Sequence, residues 1–109
     1  MNVLQLMKDT IAVYQRHGWE LRRVLLRSET RPELSELGNA LAGAQLVDSD
    51  LNAVWFARPS HSNREAWELR LIAEPPYALF EAFEAEESEE DRETARQEME
   101  NRMREYART

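Results

Sequence analysis

Ser60, His61 and Ser62 stand in a row between two apolar runs, with Arg58 before them and Arg64 after. A histidine beside serine hydroxyls is the pairing a hydrolase uses: the imidazole takes the hydroxyl proton while a carboxylate, here Asp48 or Asp50, orients it. Nucleophile, base, orienter and oxyanion donors must then converge from different elements. Adjacent loop residues point apart instead, and there is no Gly-x-Ser-x-Gly elbow. Proline, serine and asparagine at 59–63 are ordinary turn formers. The reading is a solvated turn, with a small enzyme or ligand-binding domain built on Arg58, His61 and Arg64 as the alternative.

Other chemistry is poorly supplied. With no cysteine, disulfides, thiolate metal sites and a cysteine nucleophile are excluded. His17 and His61 have no metal-ligand spacing, and Asp48 with Asp50 falls short of a calcium loop. His17 suits a dipole partner at a helix C-terminus. The glycines, Gly18, Gly38 and Gly43, are scattered, so no phosphate loop exists. No catalytic residue, cofactor or metal is expected.

The net charge of -7 is uneven: residues 84–109 hold ten acids against five arginines. An acidic chain repels phosphates, so nucleic acid is disfavoured and a basic protein partner is favoured. Glu84, Glu86, Glu87, Glu89, Glu90, Asp91 and Glu93 read first as a solvated linker and helix start, and second as a docking surface for such a partner. No apolar stretch approaches the roughly 18 residues of a membrane helix, and the start lacks a basic segment followed by an apolar one. A cytoplasmic protein that binds no membrane is expected.

These residues need elements to position them. Leu4, Met7, Ile11 and Tyr14 recur at three and four, predicting a helix from about Val3 to His17 with Asn2 as cap and Gly18 as its terminator. Trp19 to Arg27 reads as a strand. Thr30, Pro32 and Glu33 open a short helix with Leu34, Leu37 and Leu41 on one face. Ala44 to Asp50 reads as a connection. Leu51 to Ala57 and Ala66 to Glu74 form an antiparallel hairpin, the second strand showing period two through Trp67, Leu69 and Leu71. Tyr77 to Phe83 leans to strand by its aromatics. A charged helix follows from about 88 to 107, with Ala95, Met99, Met103 and Tyr106 in a stripe.

The expected fold is one α+β domain over 1–109: an antiparallel sheet of three to four strands with three helices. Trp67, Leu69, Leu71, Leu25, Leu4, Met7 and Ile11 should be buried, and Glu68 and Arg70 exposed. With Trp55 and Trp67 paired on one sheet face, Val54, Phe56 and Ile72 fall on the other, which so few helices would leave incompletely covered. That face, with Met99, Met103 and Tyr106 of the last helix, is the expected interface of a homodimer. Phe56→Glu would then yield a folded monomer. The expected function is a non-enzymatic acidic protein-interaction module of adaptor, chaperone or inhibitor type.

Overall fold

The computed structural model describes residues 2–41 and 43–108. A five-stranded mixed sheet lies between an N-terminal helix on one face and a C-terminal helix on the other, giving an α+β fold. Helix α1 spans Val3–Arg16. Asn2 caps it through its side-chain oxygen, which accepts from the amides of Leu4 and Gln5. The Gln5 side chain turns to Asp9 instead of reaching back, so only half of the capping box forms. Gly18 ends the helix at φ 84°, the left-handed region that disfavours a side chain.

Strand β1, Glu20–Leu26, leads into a 3-10 segment, Arg31–Leu41, broken at Gly38. Strand β2, Gln45–Asp48, then runs parallel to β1 as an edge. The expected connection over Ala44 to Asp50 is thus partly strand. Strands β3, Ala53–Pro59, β4, Glu65–Leu71, and β5, Tyr77–Phe83, continue the sheet antiparallel, in the order β2-β1-β3-β4-β5. Tyr77 to Phe83 is a strand as its aromatics indicated. The sheet has five strands instead of three to four, and is mixed because β2 is parallel. Helix α2 spans Glu89–Arg108.

The expected core is in place: Leu4, Met7, Ile11, Leu25, Trp67, Leu69 and Leu71 are all buried. Glu68 and Arg70 are half-buried instead of exposed, because α1 leans over them. Glu68 accepts a hydrogen bond from the Tyr14 hydroxyl, and Arg70 donates to the same oxygen. Burial first, then the bond to Glu68, raises the Tyr14 pKa above its ordinary value.

The uncovered sheet face is a correction. Val54 and Phe56 have no exposed surface and Ile72 is 5% exposed, because Leu4, Met7 and Ile11 of α1 and Leu37 of the 3-10 segment pack on that side. Tyr14 stacks on Phe56 with ring centroids 4.1 Å apart. On the opposite face Met99 and Met103 are buried among Trp55, Trp67, Leu69 and Phe83. Tyr106 alone of the expected interface is open to solvent, and it stacks on Tyr77 at 3.8 Å. On one face α1 and the 3-10 segment, and on the other α2, cover the central strands.

A bulge in β1 alters which side chains face α2. Leu21 pairs with Phe56 and Arg23 with Trp55, leaving Arg22 as the extra residue. Leu21 and Val24 therefore reach the same core although three apart. Arg22 and Arg23, consecutive in sequence, both lie beside the Trp67 ring, at 5.6 and 5.8 Å.

Candidate functional site

The hairpin loop is built as a turn. Strand β3 ends at Pro59, the Ser60 amide donates to the Arg64 carbonyl, and the Arg64 amide donates to His61. Between them Ser62 and Asn63 take φ of 58° and 61°, the left-handed pair of a type I′ hairpin turn. Serine is a poor residue for that conformation. Ser62→Asn combined with Asn63→Gly installs the residue pair such turns prefer, and thermal unfolding should show a gain of about 0.5 to 1 kcal/mol. Destabilisation by the pair would mean that the loop's own side chains hold the turn.

The side chains proposed for chemistry do not meet. Arg58 donates to the His17 carbonyl and lies 4.3 Å from the Trp19 ring centroid. Arg64 pairs with Glu84 at 2.9 Å. His61 is exposed. Asp48 and Asp50 bind Arg31 and Arg104, both at the far end of β3. Seven residues of strand separate the two ends by roughly 20 Å. A hollow of about 350 Å³ beside the loop is lined by Arg58, Pro59, Ser60, His61, Ala66 and Phe80. Among the described residues no hydrogen bond joins the Arg58, Ser60 and His61 side chains across it. Among the described residues no three histidine or acid side chains are grouped to hold a metal ion. His17 sits at the α1 C-cap, its Nδ1 donating to the Val13 carbonyl.

Where α2 crosses the sheet, the structure assembles a charged cluster that the sequence did not signal. Arg96 is 1% exposed, its guanidinium 4.2 Å from the Trp67 ring centroid and 5.6 Å from that of Phe83. Glu89 and Glu93 bind it at 2.9 and 2.7 Å, and Arg23 reaches Glu93 at 2.7 Å. Nearby, Glu65 accepts from the Trp67 indole and lies 3.5 Å from Arg92. The arrangement clamps the helix to the sheet: every carboxylate is engaged and the aromatic faces are already occupied by arginine. A polar hollow of about 310 Å³ lies beside it, lined in part by Arg23, Glu93, Gln97, Glu100 and Arg104, whose charged groups already pair with one another or with Asp50.

Partial burial pushes the Glu93 carboxyl upward, but hydrogen bonds from Arg23, Gln97 and Arg96 outweigh it and hold the group at about 2. A carboxyl depressed in the folded state adds stability above its unfolded value near 4.5, and that contribution fades as pH falls toward 2. Wild type should therefore lose more stability than Glu93→Gln between pH 4.5 and 2, measured by urea midpoints. Parallel loss in both proteins would show that Glu93 ionises alike in the folded and unfolded chain.

The fifth strand is different in character. Strand β5 pairs only with β4 and is seven residues long with one charge, Glu81. Tyr77, Leu79 and Phe83 turn toward α2. Ala78, Phe80 and Ala82 turn to the α1 side, beyond the helix's reach, and Phe80 is 58% exposed. The other edge, β2, has four residues and carries Asp48. Short, charged edges resist pairing with another chain, and long apolar ones invite it.

Fold and surface together define a small α+β protein: a helix-covered mixed sheet with one open, apolar edge. No family model, curated protein or solved structure matches the chain.

Proposed function

We propose that this chain is a non-enzymatic, acidic protein-interaction module that acts in the cytoplasm and binds a basic protein partner. The observation that carries this reading is β5, an exposed edge strand with Phe80 open to solvent on a chain of net charge -7. A large aromatic held out in water at a sheet edge is an inexpensive anchor for a partner, since its burial costs no polar group its hydration. Fixed internal partners for Arg58 and Arg64 weigh against the ligand-binding alternative. A homodimer lacks the surface first expected for it, because Val54, Phe56 and Ile72 are inside. Of the exposed large apolar side chains, Phe80 on β5 offers it the most open surface.

The test compares wild type with Phe80→Asp in affinity capture, with sedimentation of each protein at low and high salt. A partner retained by wild type and lost by a variant of unchanged melting temperature supports the reading. A ligand or turnover that depends on Arg58 and His61, with Phe80→Asp fully active, overturns it.

A further inference from the structure

We propose that β5 receives an extended segment of another protein as a sixth strand, one whose residues alternate between basic and apolar. This rests on the interaction-module reading and specifies the partner's chemistry. Strand addition satisfies the unpaired amides and carbonyls of an edge, and side chains on alternate sides set the specificity. On the α1 side an incoming strand would meet Phe80 between two alanines, a small apolar surface suited to branched aliphatic residues. On the α2 side it would meet Glu81, which is exposed and has no ion-pair partner among the described residues. Glu74 before the strand and Glu86 after it are likewise exposed. Toward α1 the edge is thus apolar, and toward α2 it carries one exposed acid, Glu81, beside half-buried Tyr77 and Leu79 and buried Phe83, with Glu74 and Glu86 at its ends. A strand that sets a lysine or arginine against Glu81 and valine or isoleucine toward Phe80 complements it.

A second copy of this chain fits less well. Antiparallel pairing of β5 with itself about Phe80 sets Glu81 against Leu79, leaving the acid without a counter-charge. It also carries Glu86 of each copy toward Glu74 of the other. Like charges across strands oppose pairing. A basic segment relieves both.

The probe is a synthetic peptide alternating valine and arginine, titrated into the full chain. Three controls accompany it: the valine–glutamate analogue, a peptide of the same composition with valines and arginines in separate blocks, and a fully N-methylated version. The alternating peptide should bind, slow amide exchange across 77–83, and lose about two- to tenfold in affinity to Glu81→Arg. The three controls should bind at least about tenfold more weakly. Equal binding of the N-methylated or block peptide would overturn strand addition, since charge alone would then account for the attraction. Failure of every peptide, with partner capture still lost in Phe80→Asp, would overturn this inference and leave the interaction module standing. Exchange protection of 77–83 in a peptide-free dimer would assign the edge to a second copy and overturn it equally.

Discussion

Phe56→Glu should fail to fold. The ring has no exposed surface, stacks on Tyr14, and sits beneath α1 with Val54 and Leu21 in the same cluster. Replacing it removes about 2 to 3 kcal/mol of apolar burial and puts a carboxyl, even if protonated, where it costs several kcal/mol more. The combined loss, on the order of 5 kcal/mol or greater, rivals the whole stability of many small domains. Circular dichroism should show loss of structure, whereas Phe56→Leu should remain folded with a modest cost. A folded, monomeric Phe56→Glu protein would restore the face to the surface and reinstate the dimer first expected there.

The second large effect lies on the opposite face. The Trp55 indole donates at 2.9 Å to Glu100, itself only 5% exposed, with Arg104 at a longer 3.7 Å. Trp55→Ala should cost about 3 to 5 kcal/mol from the cavity. Stranding the Glu100 carboxylate should add roughly 1 to 3 kcal/mol. Trp55→Phe isolates the second contribution, since it keeps much of the ring and removes only the donor. In urea unfolding, Glu100→Leu introduced beside Trp55→Phe should recover part of that loss, because no buried carboxylate then remains. Additive losses in the pair would show that indole and carboxylate do not depend on each other.

The two faces differ in how they could be read. The α1 side is local in its signals: period three and four in Leu4, Met7 and Ile11, an asparagine cap and a glycine stop. On the α2 side only β4 shows as clear a pattern, period two through Trp67, Leu69 and Leu71. Each follows from backbone geometry acting over one or two turns, so α1, β3, β4 and the strand character of Tyr77 to Phe83 could be read directly. Strand β2 could not. Its four residues show no alternation because three are exposed, and only pairing with β1 makes them a strand.

Helix α2 is the clearest case of a site hidden from sequence. Its stripe was read through Ala95, Met99, Met103 and Tyr106, but the face it buries is Arg96, Met99, Glu100 and Met103. Half of those residues are charged, so hydrophobic periodicity could not reveal them. Arginine and glutamate are tolerated inside only where tertiary contacts supply Trp67, Phe83, Trp55 and the opposing charges. The bulge in β1 that brings Arg22 and Arg23 to one face likewise depends on pairing with β3. The sequence by itself determined a single acidic α+β chain, most of its elements and its apolar core, because those depend on short-range periodicity and composition. Tertiary structure alone decided which faces were covered, which charges went inside, and that β5 was left as an open edge, because these depend on how far each helix reaches across five strands.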